Sequence, residues 1–384
     1  MGGSDWIWVN SASVAKELMD KRGSKYSSRP RMPMEFEATS NQNREIFMPY
    51  GERWRTLRKL SHAALNFNVS ATYKPVQDFE SKQVLYEFLH AKDGRAFYDI
   101  NRQYSASVVM TVTYGQRVAD WNDPYIKKIY EPSIVPCPDW WNIGRQWFEY
   151  DREVYLGFYR DLVRQVQNGT APDFFIRDFY KAGLEKSGIS EEQAAYAAGG
   201  LVEAGSESTS TVINAWILVC QIYPTVATAT QQELDRVVGF ERMPTYEDED
   251  KLPYIRAMVK ETLHFWPITK PGMNHASTED DWYNGYFIPK GSLVMLNWWA
   301  IHNDNNRWQH PDTYDPTRFL SDPYTSAESV NLSDGNLRDH FAYGAGRRIC
   351  SGMQLAQNSL FINMARTLWA FKISLLEVLP VGIQ

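Results

Sequence analysis

A single cysteine near the end of the chain lies in a stretch whose residue types could support chemistry. The sequence YGAGRRICSG, residues 343–352, surrounds Cys350 with three glycines and two arginines. Glycines allow the backbone to form a loop whose N–H groups point inward, and arginines add positive charge. An amphipathic helix is predicted over 352–371, and the N-terminus of a helix favours an anion. The pattern therefore predicts a stabilised thiolate that binds a metal.

Other chemistries fit this stretch less well. A dinucleotide-binding fingerprint needs a third glycine where Ile349 stands, and no strand–helix pattern supports it. A nucleophilic cysteine needs a base that the sequence does not identify, and that role leaves the glycines unexplained. Cys137 and Cys220 are far away in sequence, and no CxxC or HExxH pattern indicates zinc. A lone thiolate suits a haem, because the macrocycle itself supplies the other four ligands of the iron.

The elements that must position this loop are mostly helical. The spacing of apolar residues predicts helices over 11–21, 51–65, 76–91, 100–114, 153–167, 190–220 and 251–265. Apolar and aromatic runs predict strands at 6–9 and 292–299, and an Asn-Gly pair predicts a hairpin over 282–288. The predicted fold is mainly α with a small β part, in one domain over 1–384. The alternating pattern of a Rossmann domain is not present.

The longest predicted helix, over 190–220, contains three interior glycines. Ser190 is its predicted N-terminal cap. Each interior glycine costs about 1 kcal/mol relative to alanine, so Gly199, Gly200 and Gly205 need a structural reason. Either another helix packs closely against them, or a bulky ligand lies there.

The cysteine loop resembles that of the cytochrome P450 family, whose motif is Phe-x-x-Gly-x-Arg-x-Cys-x-Gly. This chain matches the motif at Gly346, Arg348, Cys350 and Gly352, with Tyr343 in the aromatic position. The resemblance covers nearly the whole chain and implies the family's mainly helical fold. It also implies that Cys350 binds haem iron and that the other four residues shape the cofactor-binding loop.

Two further segments resemble the parts of the family that bind the haem propionates. WRTLR, residues 54–58, is similar to the helix whose tryptophan and arginine reach a propionate, which implies this role for Trp54 and Arg58. The stretch 274–292 resembles the fungal branch of the family. That resemblance implies that His275 is a second propionate contact.

The helix over 190–220 carries a segment similar to the family's oxygen-binding motif, Ala/Gly-Gly-x-Asp/Glu-Thr. This chain has Ala204, Gly205, Glu207 and Ser208 at the motif positions. The resemblance implies that the haem face and bound oxygen lie against Gly205. It also implies that Glu207 and Ser208 are catalytic and deliver protons, because serine keeps the hydroxyl of the family's threonine.

The largest departure from the family lies in the helix over 251–265. The segment KETLH is similar to the Glu-x-x-Arg motif, but His264 replaces the arginine after Glu261, and DPTRF supplies Arg318 as the third member of the network. Arginine offers five donors and histidine at most two. We therefore expect Glu261 to rely on Arg318 alone, with weak haem retention or marginal folding. The alternative is that a protonated His264 substitutes adequately.

Charge and hydrophobicity bear on whether the chain binds nucleic acid or spans a membrane. The net charge of −6 gives no support for a nucleic-acid surface. No apolar run reaches the roughly 20 residues of a membrane-spanning helix, and no signal peptide is recognised, so we expect the chain as given to be soluble. The resemblance implies an anchor in the endoplasmic reticulum membrane for the family's full-length form. We expect this chain to lack that anchor and the family's C-terminal strands, so that the fold is incomplete at both termini.

The resemblance implies a haem-thiolate monooxygenase that uses dioxygen and haem b to oxidise an apolar small molecule in fungal secondary-metabolite biosynthesis. Electrons would come from a separate NADPH-cytochrome P450 reductase docking near Arg347, because no flavin or nicotinamide fingerprint is present. The segment 267–274 is expected to line the substrate pocket. Two alternatives stay open. One is a haem-thiolate isomerase or dehydratase that needs no reductase, and the other is a non-catalytic remnant that holds haem poorly.

Overall fold

Helices make up most of the computed structural model, which describes residues 3–123, 139–171 and 188–375. The α-helices are α1 (Ala12–Ala15), α2 (Gly23–Tyr26), α3 (Glu52–Leu65), α4 (Phe67–Thr72), α5 (Lys74–His90), α6 (Phe97–Tyr114), α7 (Trp140–Gln167), α8 (Glu191–Ile222), α9 (Pro224–Val237), α10 (Pro253–Phe265), α11 (Trp298–His302), α12 (Ser326–Ser329) and α13 (Met353–Ala370). The strands are β1 (Trp6–Val9), β2 (Asn274–Ala276), β3 (Asp281–Tyr283), β4 (Tyr286–Ile288) and β5 (Leu293–Leu296). The mainly α prediction is confirmed, and Cys137 lies outside the described residues.

The strands form two small sheets, and β2 is a strand that the sequence did not predict. β5 pairs in parallel with β1 and antiparallel with β2, which gives the order β1-β5-β2. β3 and β4 form the predicted hairpin, and both turn residues, Asn284 and Gly285, have positive φ angles of 51° and 82°, as a tight two-residue turn requires. The strand predicted over 292–299 ends at Leu296, because the Asn297 side chain accepts from the N–H of Ala300 and starts α11.

The helix α8 packs against α6, α7 and α13. Its N-terminus has the predicted serine cap, since Ser190 and Gln193 form a reciprocal capping box. Trp216 of α8 is fully buried, and its Nε1 donates to Met258 Sδ at 2.9 Å. Among the described residues no single helix is both long and apolar enough to cross a membrane; α8 and α9, bent by 104° where they meet, meet the criterion as a pair.

Close packing explains two of the three glycines in α8, and the third faces open space. A Cβ on Gly199 would lie 2.5 Å from the Tyr155 ring of α7, and one on Gly205 would lie 2.8 Å from Val109 of α6. A Cβ on Gly200 would meet nothing within 4 Å, because this residue faces a cavity. The expectation that a haem explains Gly205 is therefore wrong, since its close neighbour is a packed helix.

The helix after the cysteine loop is more buried than its pattern predicts. We expected an amphipathic α13, but every residue from Asn358 to Leu368 is buried. Arg366 is among them, and its guanidinium donates to the Asp78 carboxylate at 2.5 Å and to the Pro244 carbonyl at 3.0 Å. The helix is therefore central, because other segments contact its polar side as well.

The two neighbouring glycines of α8 give a matched stability test. Gly200→Ala should raise the free energy of unfolding by up to about 1 kcal/mol, because alanine favours a helix and its methyl group meets open space. Gly199→Ala should lower that free energy by about 1–3 kcal/mol, because its methyl group overlaps the Tyr155 ring. Denaturant unfolding monitored by circular dichroism measures both changes. Equal effects of the two substitutions would contradict this packing.

Candidate active site

A cavity of about 440 Å³ connects the cysteine loop with α8. Seven of the predicted site residues line it: Trp54, Arg58, Ala204, His275, Tyr343, Arg348 and Cys350. Five others do not line it: Gly205, Glu207, Ser208, Gly346 and Gly352. From the segment 267–274, which we expected to line a substrate pocket, Met273 reaches the cavity.

The cysteine loop closes on itself through one backbone hydrogen bond. The N–H of Cys350 donates to the Tyr343 carbonyl at 2.8 Å. Between them, Gly344 and Gly346 have φ angles of 75° and 61°, which favour glycine. The hydroxyl of Tyr343 accepts from Gln357 Nε2 of α13 at 3.1 Å. The loop is thereby tied to the helix that follows it.

The same loop packs without a gap against the N-terminal part of the chain. A Cβ on Gly346 would overlap the carbonyl oxygen of Met19, which lies in a π-helical segment, Lys16–Lys21. Gly352 is different, because a Cβ there would have only ordinary contacts, at 3.9 Å from Cys350 Sγ and from a Leu65 methyl group. Gly346 is therefore required by backbone conformation and close approach, whereas sterics do not require Gly352.

The two arginines of the loop contact other segments, with Arg348 donating to backbone carbonyls and Arg347 to the Tyr50 hydroxyl. Arg348 donates to the carbonyls of Ser27 at 2.8 Å and Met48 at 2.5 Å, and its guanidinium lies 4.1 Å from the centroid of the Trp54 ring. Arg347 points outward and is exposed. The expectation that these two arginines supply charge to the thiolate is therefore wrong.

The pKa of the Cys350 thiol depends on desolvation and on two neighbouring groups. The side chain opens onto the cavity but is otherwise enclosed, and desolvation raises the pKa of the Cys350 thiol. The N–H of Gly352, just before α13, and the positive charge of Arg58 act in the opposite direction on this pKa. The predicted stabilisation by a helix N-terminus is thus present. The positive charge comes from α3, since Arg58 also donates to the carbonyl of Ile349.

Buried cations line the cavity near the cysteine loop. Desolvation lowers the pKa of Arg348 to about 9, with a further contribution from Arg29, and desolvation lowers the pKa of Arg29 to about 10. Arg29 donates to the carbonyls of Ile46 and Asn274. Within the described part of the chain, both guanidinium groups donate to backbone carbonyls and not to carboxylates, so this wall of the cavity favours an anion.

His275 lines the same wall and is fully enclosed. Burial lowers the pKa of His275 to about 3, and the nearby charge of Arg29 adds to this effect. The neutral ring donates from Nδ1 to the Tyr26 carbonyl at 2.9 Å. Its other nitrogen then carries a lone pair, so His275 could donate to a carboxylate only after taking up a proton.

The cavity wall opposite the cysteine loop belongs to α8. Ala197, Gly200, Leu201 and Ala204 line it, and three of these four have side chains no larger than a methyl group. Ser208 lies one turn beyond Ala204, and its hydroxyl donates to the Ala204 carbonyl at 2.7 Å. The predicted hydroxyl is therefore next to the lining face rather than within it.

Glu207 follows the cavity-lining residue Ala204 by about one turn of α8. It is exposed, and its carboxylate pairs with Arg102 of α6 at 2.5 Å. At about 100° per residue, Glu207 lies only about 60° from Ala204 around the helix axis, but its side chain extends to Arg102 and does not line the cavity. The structure therefore does not bring Glu207 into the cavity, and it joins that carboxylate to solvent and to α6.

The network around Glu261 is more complete than the sequence suggested. Glu261 Oε2 lies 3.0 Å from both His264 Nδ1 and Arg318 Nε, and Oε1 accepts from the N–H of Asp315 at 2.9 Å. The other ring nitrogen of His264 lies 2.9 Å from the carbonyl of His302. The expectation that Glu261 relies on Arg318 alone is wrong. Both ring nitrogens of His264 face acceptors, so the imidazolium form satisfies both contacts.

His302 carries this network to the cysteine loop. Its Nδ1 donates to the His264 carbonyl at 2.8 Å, and its Nε2 accepts from the N–H of Phe341 at 2.7 Å. Desolvation lowers the pKa of His302 well below its usual value, and the neighbouring His264 adds to this effect. A neutral His302 therefore joins α10 to the start of the loop through two backbone contacts.

Sequence reasoning missed several residues of the site. Arg29, Arg44 and Glu203 line the cavity, and His302 joins two parts of the network. Their partners are far away in sequence, so no local spacing indicated them. By contrast, the WRTLR motif in the 14-residue helix α3 correctly identified two residues that line the cavity, Trp54 and Arg58.

The residues present fit a haem. Within residues 3–123, 139–171 and 188–375, no group of three or more His, Cys, Asp or Glu side chains could hold a metal ion. The donor set is instead one cysteine that opens onto a cavity where α8 presents the small residues Ala197, Gly200 and Ala204. The cations Arg29, Arg58 and Arg348 are placed to hold carboxylates such as the propionates of a haem.

Comparison with known proteins supports this interpretation. The family described as "Cytochrome P450" matches residues 1–380. Cytochrome P450 monooxygenase verL of Clonostachys rogersoniana is 49% identical, over 96% of this chain and 72% of its own length. Cytochrome P450 monooxygenase virE of Hypocrea virens is 36% identical, over 95% of this chain and 70% of its own length.

Solved structures share the fold. A zebra fish cytochrome P450 with progesterone has a TM-score of 0.81 at 23% identity, covering 97% of this chain and 88% of that one. A zebra fish cytochrome P450 with abiraterone has a TM-score of 0.75 at 20% identity, covering 94% of this chain and 84% of that one. At these identities the similarity shows the fold alone.

Gly346 and Gly352 give a matched test of how the loop is held. Gly346→Ala should lower the free energy of unfolding by more than about 2 kcal/mol, because alanine is strained at positive φ and overlaps the Met19 carbonyl. Gly352→Ala should change it by less than about 0.5 kcal/mol. Thermal unfolding and the haem-to-protein ratio of the purified variants measure the difference. If Gly346→Ala behaves like Gly352→Ala, the close docking is not present.

Replacing His264 tests the buried network. His264→Leu should cost about 3–5 kcal/mol of unfolding free energy, because the buried Glu261 carboxylate loses a hydrogen-bond partner and the His302 carbonyl loses its donor. His264→Arg, which restores donors, should remain folded and keep haem. Chemical denaturation of both variants beside the parent measures this. A His264→Leu variant as stable as the parent would show that His264 does not support Glu261.

Proposed function

The chain belongs to the cytochrome P450 family and is a cytochrome P450 monooxygenase, and from this premise we propose that it oxidises an apolar small molecule in fungal secondary metabolism with haem b and dioxygen. The observation that carries the proposal is the position of Cys350, which opens onto a cavity lined by buried cations near the loop and by α8 opposite it. Haem, when bound through a thiolate, supplies the activation of dioxygen. The protein supplies binding, orientation and protection from water.

Three groups of side chains would hold the cofactor. The Cys350 thiolate would bind the iron, and the N–H of Gly352 and the charge of Arg58 favour that thiolate. Arg348 and Arg29, whose charges are buried, would bind the propionates. Trp54 lies under the Arg348 guanidinium and fixes its orientation through a cation–π contact.

The rest of the cavity favours an apolar substrate. Ile46, Phe47, Leu201, Met273 and Trp298 contribute apolar lining. Such a lining removes apolar substrate surface from water at about 25 cal/mol per Å², and it keeps water away from the reacting centre. This supports the proposed substrate class, and it leaves the choice among apolar molecules to the polar residues of the cavity.

Ser208 and Glu207 are proposed to pass protons from solvent to the cavity. Glu207 reaches solvent beside Arg102, and Ser208 is adjacent to it in the chain. The Ser208 hydroxyl donates a hydrogen bond to the Ala204 carbonyl, and its lone pairs remain able to accept one. To relay a proton, this hydroxyl would turn from the carbonyl towards the cavity and release its own proton as it accepts another. This arrangement favours the monooxygenase over a haem-thiolate isomerase, which needs no proton delivery.

An NADPH-cytochrome P450 reductase is the proposed electron donor. Arg55 and Arg347 are exposed, and their guanidinium groups lie 5.5 and 5.2 Å from the centroid of the Tyr50 ring. Desolvation acts to raise the pKa of the Tyr50 hydroxyl, but these two arginines outweigh that effect and lower this pKa. They mark a basic surface close to the cysteine loop that an acidic partner could bind. A location at the endoplasmic reticulum membrane, where the family's full-length forms are anchored, stays part of the proposal.

Reconstitution with the reductase tests this function. The haem-loaded chain should consume NADPH and dioxygen only when the reductase is present. Arg55→Glu should raise the KM for the reductase by up to about fivefold at low salt, and this difference should shrink as salt screens it. Arg164→Glu, an exposed reversal on α7, is the matched control and should leave that KM unchanged. Reductase-independent turnover, or equal effects of the two reversals, would contradict the proposal.

A further inference from the structure

A second charged group lines the cavity, and neither the cofactor nor the proposed proton path uses it. It consists of Arg44, Glu203, Asp151 and Tyr155, here called the Arg44 cluster. Arg44 Nη2 lies 2.6 Å from Glu203 Oε1 and 2.8 Å from Asp151 Oδ2. The Tyr155 hydroxyl donates to Glu203 Oε1. The cluster joins α7, α8 and the segment before α3.

Two members of the Arg44 cluster face the cavity. Arg44 and Glu203 line it, whereas Asp151 and Tyr155 do not. Glu203 immediately precedes Ala204, which lines the cavity wall opposite the cysteine loop. The side chain of Glu203 keeps 34% of its surface exposed, compared with 16% for Arg44. The carboxylate of Glu203 is therefore the more accessible of the two charged groups.

The hydrogen bonds of the cluster leave an acceptor available. Arg44 donates to Thr39, Asp151 and Glu203, so all three of its nitrogens are used. Glu203 Oε1 accepts from Arg44 and Tyr155. Among the described residues, Glu203 Oε2 accepts from Arg44 Nε at 3.2 Å, and that N–H is shared with Oε1 at 3.1 Å. Oε2 therefore has capacity for a further donor.

The net charge of the Arg44 cluster also favours a ligand that donates a hydrogen bond. Two carboxylates share one guanidinium, so the cluster carries an excess of negative charge when both are ionised. Burial raises the pKa of Asp151 to about 6, while Arg44 lowers it, so this carboxylate is charged above that pH. An excess negative charge in a partly desolvated site favours a hydrogen-bond donor or a cation over an acceptor.

We propose that Glu203 determines specificity by accepting a hydrogen bond from the substrate, so that the substrates of this enzyme are apolar molecules carrying an O–H, N–H or ammonium group. The inference rests on the proposed function and narrows its substrate class. Arg44 and Tyr155 hold the Glu203 carboxylate in place. The donor on the substrate then fixes which part of the apolar molecule faces the cysteine-loop end of the cavity.

A purely structural role is the competing explanation, because the cluster also ties three segments together. Glu192 provides a matched control for that role. It lies on the same helix, accepts from Asn43 at 2.8 Å and from Arg152 at 2.8 Å, and does not line the cavity. Glu192 and Glu203 thus link α8 to adjacent residues of the same loop, Asn43 and Arg44, and only Glu203 can contact a ligand.

The test compares two probes that differ in one hydrogen-bond donor, 4-phenylphenol and 4-methoxybiphenyl. Both are titrated into the haem-loaded parent and into the Glu203→Gln, Glu203→Leu and Glu192→Gln variants at a pH above the pKa of Asp151. Calorimetry reports binding without relying on iron or turnover, and the Soret shift reports it independently. We expect the parent and Glu192→Gln to bind the phenol at least about tenfold more tightly than the ether. The preference should fall to about threefold in Glu203→Gln and disappear in Glu203→Leu.

Other results would overturn the inference. These are a parent that binds neither probe or prefers neither, a Glu203→Leu variant that keeps the preference, and a loss of preference in Glu192→Gln equal to that in Glu203→Gln. A reduced carbon-monoxide spectrum is recorded for every preparation. A parent without haem would count against the proposed function, whereas a haem-containing parent without the donor preference would count against this inference alone.

Discussion

The site depends most on the hydrogen bonds of the partly buried Arg348 guanidinium. Removing such a charge from water is unfavourable, and Arg348 compensates in part by donating to the carbonyls of Ser27 and Met48. Those carbonyls belong to segments far from the cysteine loop in sequence. The loop has little regular structure of its own, so its position is set by such contacts and by the neutral His302 that accepts from Phe341. The remaining positive charge of Arg348 and Arg29 faces the cavity.

The two charged groups of the cavity have opposite preferences. The cations near the cysteine loop favour an anion, whereas the Arg44 cluster has two carboxylates for one guanidinium and favours a donor. Apolar side chains such as Phe47 and Leu201 lie in the same lining. Under the proposed function, a substrate in this cavity would be positioned by one polar contact and by the removal of its apolar surface from water. The haem carboxylates and the substrate donor would then not compete for the same groups.

The sequence predicted the features that depend on neighbouring residues. The α3, α6, α8 and α10 helices, the Asn-Gly hairpin and the cysteine loop all follow from local spacing and turn chemistry. It failed where the deciding partner is distant. Gly205 packs against Val109, about a hundred residues earlier, and His264 is supported by the His302 carbonyl, which is 38 residues later. Local sequence also gives no sign that α13 is buried on its polar side.

The reduced carbon-monoxide difference spectrum of the purified chain, recorded beside that of Cys350→Ser, tests the central claim most directly. We expect a red-shifted Soret band typical of thiolate-bound haem in the parent, because the hydrogen bonds of the cysteine loop hold Cys350 at the cavity. We expect this band to be lost in Cys350→Ser, with unchanged far-ultraviolet circular dichroism. A parent that binds haem without the band, or a Cys350→Ser variant that keeps the band, would contradict the assignment of Cys350 as the iron ligand.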